Sequence, residues 1–114
     1  MGTAADRVHE RHAIRREIQV TRGDDVVDGM TEDLSLGGAQ IHVQIDPPLK
    51  TSDRVRLKFT LPDLADPVTV DAQVRWVSDV DRSYVGVQFM SGFRAKETWA
   101  LNRFIDGHAQ QQGG

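Results

Sequence analysis

Between Glu17 and Phe89, apolar and polar residues alternate in six short runs, and this period of two constrains the fold more than any other feature. The longest run has alternate apolar residues on its inward face: Val68, Val70, Ala72, Val74 and Trp76. Successive side chains of a strand point to opposite faces, so each run predicts a strand with one buried face. A closed or nearly closed antiparallel barrel buries six such faces and removes the exposed sheet edges.

The remaining runs and the turns between them predict where the elements begin and end. The predicted strands cover 17–22, 26–32, 39–43, 54–59, 68–76 and 85–89. After Phe93 the period changes, because Leu101, Phe104 and Ile105 are spaced as i, i+3 and i+4. This spacing predicts one amphipathic helix within 93–106, with Gly107 as its C-cap. We expect the helix to plug one open end of the barrel; packing against a partner or a second copy is the alternative.

The length of 114 residues corresponds to one domain with its own core. We expect a flexible tail over 1–9, a single domain over 10–106 and a disordered tail over 107–114. The chain has no cysteine, a formal net charge of −3 and no apolar run of the ~20 residues that a membrane helix needs. These features favour a cytoplasmic protein that neither inserts into membranes nor binds a nucleic acid polymer.

Most residues that could bind a ligand lie in a polar corner over 31–43 and in a basic segment upstream of it. Asp33 and Ser35 offer one charged and one neutral oxygen, and Gly37 and Gly38 leave the backbone open to a flat ligand. Upstream, the arginines at 11 and 15 stand just before the first predicted strand. Guanidinium groups bind phosphates and the O6/N7 edge of guanine, whereas a carboxylate accepts from the N1–H and amino groups of guanine. Together these groups suggest a guanine nucleotide.

The two patterns Arg-x-x-x-Arg (Arg11, Arg15) and Asp-x-Ser-x-x-Gly (Asp33, Ser35, Gly38), in this order, resemble the PilZ family of bacterial cyclic di-GMP receptors. The resemblance continues through 74–77 and 85–89, which are similar to the closing strands of that fold. It implies a six-stranded antiparallel PilZ-type β-barrel with a C-terminal helix. It also implies that cyclic di-GMP lies across the outer surface of the barrel.

The resemblance assigns a role to each of these residues. Arg11 and Arg15 are expected to bind phosphates and guanine edges, Asp33 and Ser35 to hydrogen-bond the guanine and a neighbouring phosphate, and Gly38 to permit close approach. Further candidates for ligand contact are Arg16, Gly37 and Trp76.

The segment 9–16 shows no alternation and no apolar face that would fix it to a core, so we expect a mobile arm that becomes ordered around the ligand. Binding would pull this arm onto the barrel and reshape a surface that a protein partner reads. Glu10 adds a negative charge beside the first motif arginine, which leaves open whether one ligand or a stacked pair binds.

Other functions are less well supported by the sequence. His9, His12 and His42 lack a carboxylate that would complete a metal site, and the acids at 24, 25 and 28 do not follow a calcium-loop pattern. Neither a metal nor a cofactor is expected. Ser35 has no histidine placed to activate it, which disfavours an enzyme. A PilZ-like interaction module that does not bind the nucleotide is the main alternative, and sparse aromatic residues disfavour an RNA-binding barrel.

Overall fold

The computed structural model describes residues 14–113, with side chains described as far as Gly107. Its elements are β1 (Glu17–Arg22), β2 (Asp25–Leu34), β3 (Gly38–Val43), β4 (Arg54–Phe59), β5 (Val68–Val77), β6 (Tyr84–Phe89) and α1 (Ala95–Gly113). The strands close into an antiparallel barrel in the order β1-β2-β3-β6-β5-β4. The predicted fold class is therefore confirmed.

The barrel interior is filled by the alternating residues that the sequence pattern places on the inward face. Val20, Ile41, Val74 and Val85 are 0% exposed, and Leu57 is 1% exposed. Full burial of each such side chain contributes about 1.5–3 kcal/mol relative to leaving it in water. Because every strand supplies residues to this core, the six strands form one packed unit.

The helix α1 packs at the end of the barrel where β1 begins and β4 ends. Leu101 and Phe104 are buried in the same core as the strands, and Arg103 pairs with Asp63 in the β4–β5 loop at 3.2 Å. The backbone stays helical through Gly107 to Gly113, so the predicted C-cap at Gly107 is wrong. The Ala and Gln residues that follow favour helix, and one glycine costs only about 1 kcal/mol. The division into two tails and one domain stays a prediction.

Two β-bulges change the direction in which key side chains point. The pairing of β2 with β3 shifts between Thr31 and Asp33, and that of β5 with β6 shifts between Val74 and Trp76. An extra residue in a strand of period two turns every following side chain to the other face. Asp33 therefore lies on the outer surface although Thr31 faces the core. Trp76 is likewise 38% exposed, so the prediction that it faces inward is wrong.

The two bulges create one continuous row of outward residues across four neighbouring strands. Asp33 of β2 pairs with Gln40 of β3, Gln40 pairs with Gly86 of β6, and Gly86 pairs with Trp76 of β5. We call the outward surface of β2, β3, β6 and β5 the outer wall.

Candidate functional site

The segment that precedes β1 is attached to the barrel by its backbone and by one apolar side chain. Ile14 is 0% exposed and belongs to the core. The backbone N–H of Arg16 donates to the Thr31 hydroxyl at 2.8 Å, and the N–H of Thr31 donates to the Arg16 carbonyl at 2.9 Å. The expectation of an arm without apolar contact is therefore wrong for 14–16. Arg11 and the rest of 1–13 lie outside the described residues.

Arg15 extends from this anchored backbone to the first bulge. Its guanidinium pairs with the carboxylate of Glu32 at 3.2 Å, and its side chain is 76% exposed. Glu32 is the extra residue of the bulge and the immediate neighbour of Asp33. Because the Arg15 side of this pair is open to solvent while Glu32 is only 22% exposed, an incoming anion can reach the guanidinium directly. No role for Glu32 could be predicted from the sequence, because the alternation of apolar and polar residues gives no sign of the bulge.

Asp33 is oriented by the neighbouring strand. Its Oδ1 accepts a hydrogen bond from the backbone N–H of Gln40 at 3.0 Å. This hydrogen bond orients the Asp33 carboxylate on the outer wall. Asp33 is adjacent in sequence to Glu32, which pairs with Arg15. A fixed carboxylate next to an exposed guanidinium is suited to bind a ligand that carries both N–H donors and anionic oxygens.

Ser35 organises the tight turn between β2 and β3. Its Oγ accepts from the N–H groups of Gly37 and Gly38 at 3.3 and 3.2 Å, and its own N–H donates to the Gly38 carbonyl at 2.9 Å. The serine is 9% exposed. The Ser35 hydroxyl therefore already accepts from the two N–H groups that were predicted to face the ligand.

Gly38 meets a strict packing requirement. A Cβ at this position would clash with the carbonyl oxygen of Val87 and lie 3.2 Å from the Cα of Gln88. Both atoms belong to the β6 backbone and cannot move without separating β3 from β6. At Gly37, by contrast, a Cβ would meet nothing within 4 Å. Whether Gly38 also touches a ligand stays a prediction.

Arg16 points to the helix-covered end of the barrel. Its Nε and Nη2 donate to the carbonyl and hydroxyl oxygens of Thr60 at 2.9 and 3.0 Å, and its guanidinium lies 5.3 Å from the centre of the Phe104 ring. A cation over an aromatic ring contributes about 0.5–1 kcal/mol at an exposed site. Arg16 therefore connects the arginine segment to α1.

The indole ring of Trp76 packs over Gly86 of the neighbouring strand β6, which has no side chain. A Cβ at Gly86 would clash with the indole ring, so the ring occupies the space that a side chain at 86 would fill. The structure thus brings Arg15, Asp33 and Trp76 to the outer wall, with the 35–38 turn at its edge. It does not place Arg16 there.

Residues 14–113 contain neither a metal-binding cluster nor a membrane-spanning helix. No three histidine, aspartate or glutamate side chains among the described residues are grouped so that they would bind a metal ion; His9 and His12 lie outside this range. No helix in the same range is long and apolar enough to cross a bilayer.

The fold is thus a small closed antiparallel barrel with charged side chains exposed on its outer wall. The family model of the PilZ domain matches residues 5–107. The chain therefore belongs to the PilZ domain family, which consists of binding domains and not of enzymes. No curated protein shows significant sequence similarity to this chain.

Solved structures share the fold at low sequence identity. The PilZ domain of CeSA from a cellulose-synthesizing bacterium is 19% identical with a TM-score of 0.64, over 86% of this chain and 96% of that one. The inhibitor of motility MotI/DgrA of Bacillus subtilis is 14% identical with a TM-score of 0.68, over 93% and 51%. The PlzA protein of Borreliella burgdorferi, solved in complex with c-di-GMP, is 14% identical with a TM-score of 0.64, over 87% and 40%. The chain thus spans about half or less of the last two proteins.

Proposed function

We propose that this PilZ domain is a cytoplasmic, non-enzymatic bacterial receptor for cyclic di-GMP. In this proposal Arg11 and Arg15 bind the phosphates and the guanine edges, and Asp33 accepts from the guanine N1–H and amino groups. Ser35 and Gly38 keep the turn in the shape that the ligand contacts, and Trp76 borders the bound base. Gly37 is a further candidate contact.

One observation carries the proposal most directly. Arg15 pairs with Glu32, and the next residue, Asp33, is fixed by the Gln40 N–H on the outer wall. A guanidinium and an oriented carboxylate thus stand at neighbouring positions, which is the chemistry that a guanine nucleotide requires. The PilZ fold of PlzA, solved with c-di-GMP, supports the choice of ligand.

The contacts of Arg15 and Arg16 also suggest how ligand binding could change the surface of the protein near α1. In this proposal a ligand that binds Arg15 pulls on the short anchored backbone that also carries Arg16 and shifts it. Because Arg16 contacts Thr60 and Phe104, this movement reaches α1 and changes the surface that a downstream protein partner reads.

Calorimetric titration with cyclic di-GMP tests the proposal, with GTP and linear pGpG as control ligands. We expect saturable binding that is selective for cyclic di-GMP, and the stoichiometry distinguishes one ligand from a stacked pair. The affinity should fall only gently with salt concentration, because few phosphates are contacted. Absence of heat and of a thermal shift at high ligand concentration would refute the receptor function.

We expect Arg15→Ala to weaken cyclic di-GMP binding by at least about 1–3 kcal/mol, as the loss of one bidentate guanine contact would. Stability should change little, because the side chain is largely exposed. Arg56→Ala is the matched control, since Arg56 also forms an ion pair, with Asp71 at 3.0 Å across β4 and β5 and away from the first bulge. Affinity equal to wild type in Arg15→Ala would remove this residue from the site.

We expect Asp33→Ala to weaken binding by a similar amount, because the guanine donors lose their acceptor. Asp33→Asn is the informative companion, since its amide oxygen can still accept from the Gln40 N–H and hold the strand geometry. A binding loss in both variants, with the Asn variant as stable as wild type, assigns the charge to ligand binding. Unchanged affinity in the Asn variant would contradict this role.

A second function is favoured by the turn itself. Ser35 and Gly38 are both explained by internal hydrogen bonds and strand packing, so these two motif residues would be required even in a PilZ barrel that binds only a protein. The alternative is therefore an interaction module, for example in motility or pilus machinery. The titration above separates the two functions.

A further inference from the structure

Gln40 lies in the outer wall between Asp33 and the indole ring of Trp76. In the sheet register Asp33 of β2 pairs with Gln40 of β3, and Gln40 pairs with Gly86 of β6. Because Gly86 has no side chain and the Trp76 indole packs over it, the ring is the neighbour of Gln40 on the β6 side. Gln40 therefore stands between the carboxylate assigned to guanine and the ring that borders the bound base.

The side chain of Gln40 points outward and is partly exposed. Its chain neighbours Ala39 and Ile41 are buried in the core, so the residue between them faces the other side of the strand. On that side Gln40 is half-buried. A ligand on the outer wall can thus reach this side chain.

The amide group of Gln40 has hydrogen-bonding capacity that the barrel does not use. The hydrogen bond from Gln40 to Asp33 comes from the backbone N–H. Among the side chains and backbone that the structure describes, the Gln40 amide has no hydrogen-bond partner. A primary amide carries two N–H donors and one acceptor oxygen. A ligand that covers this amide binds well only if it satisfies it, because a polar group buried without a partner is unfavourable.

The amide stands where a donor would complete the recognition of guanine. The pairing edge of guanine carries the amino group, the N1–H and the O6 acceptor side by side, and in the proposed function Asp33 accepts from the first two. The Oδ1 of Asp33 lies 3.0 Å from the backbone nitrogen of Gln40, so the carboxylate leans toward β3. Neighbouring strands are about 4.8 Å apart, which brings the Gln40 side chain within reach of the same edge.

We infer that the side-chain amide of Gln40 donates to the O6 oxygen of the guanine that binds Asp33. The carboxylate and the amide together then read all three groups of the guanine edge. The inference rests on the proposed function, because it assigns a further contact to the same base.

The test compares cyclic di-GMP with cyclic di-IMP, whose hypoxanthine bases keep N1–H and O6 but lack the amino group. Gln40→Leu keeps a side chain of similar size and the backbone N–H that orients Asp33. It should weaken both ligands by the same factor, about five- to ten-fold, because both carry O6. Gln19→Leu is the matched control and should change neither affinity, since Gln19 is also half-buried but lies on β1, outside the outer wall.

Side-chain amide signals in nitrogen–proton correlation spectra report the contact directly. The Gln40 signals, identified by their loss in Gln40→Leu, should shift when cyclic di-GMP is added, whereas those of Gln19 should stay in place. Thermal unfolding of Gln40→Leu should match wild type, because the substitution removes no hydrogen bond of the barrel.

Three results would overturn the O6 contact while the receptor function stands. These are wild-type affinity of Gln40→Leu for both ligands, Gln40 amide signals that do not respond to cyclic di-GMP, and a loss confined to cyclic di-GMP, which would place the amide at the amino group. Failure of the wild-type protein to bind cyclic di-GMP overturns both the contact and the receptor function.

Discussion

Gly38→Ala is expected to destabilise the barrel by about 3 kcal/mol, because the added methyl group must push against backbone that has no room to move. The new Cβ would clash with the Val87 carbonyl oxygen and approach the Cα of Gln88. Both residues lie in β6, which pairs with β3 at this point. Urea unfolding followed by circular dichroism measures the loss, and we expect the melting temperature to fall by roughly 10–20 °C.

Gly37→Ala is the matched control for this prediction. A Cβ at Gly37 meets nothing within 4 Å, so the free energy of unfolding should stay within about 0.5 kcal/mol of wild type. The pair of variants separates two explanations of a motif glycine. If Gly38→Ala unfolds like wild type yet loses the ligand, Gly38 acts through ligand contact and the packing argument fails. If it is strongly destabilised, loss of binding in this variant says nothing about contact.

The barrel was predictable because its signal is repeated in every strand. The predicted bounds of β1 and β4 agree with the structure, since an alternation of apolar and charged residues has only one arrangement that buries a single face. Six such strands then leave few alternatives to closure. A residue that breaks the alternation in one strand does not change this conclusion. The predicted fold is therefore correct even where the predicted direction of a single side chain is wrong.

The geometry of the site was much less predictable, because it depends on those exceptions. A strict period of two places Trp76 inside the barrel, and only the bulges at Glu32 and Arg75 turn Asp33 and Trp76 to the outer wall. A bulge depends on the register in which two strands pair, and this register leaves no local pattern in the sequence. The position of Gln40 beside Asp33 could not be predicted either, because it depends on the register of β2 against β3.

The burial of Ile14 was not predicted, although the spacing of apolar residues in the sequence indicates it. Ile14 is separated from Ile18 and Val20 by even numbers of positions, so it continues the inward face of β1 into the charged segment. The run of arginines and acids around it concealed this continuity. The arginine segment thus has an apolar anchor next to Arg15, and the anchor and the motif arginine can be tested separately.

Ile14→Ala is expected to destabilise the protein by about 2–5 kcal/mol, the usual cost of truncating a fully buried isoleucine. The side chain is 0% exposed in the barrel core, and its carbonyl oxygen accepts from the Thr31 hydroxyl. Truncation should therefore loosen the backbone that carries Arg15. Chemical denaturation measures the stability, and hydrogen exchange of the Thr31 N–H, which donates to Arg16, reports on the segment itself.

The same variant should also weaken cyclic di-GMP binding at a temperature where the protein remains folded, because the ligand must then order the segment as well as bind it. Arg15→Ala provides the contrast, with reduced affinity at nearly unchanged stability. Val80→Ala is the control truncation, since Val80 is 96% exposed in the β5–β6 turn and should alter neither quantity. Wild-type stability in Ile14→Ala would show that the segment is not anchored in the core. Reduced stability with unchanged affinity would show that the anchor does not prepare Arg15 for the ligand.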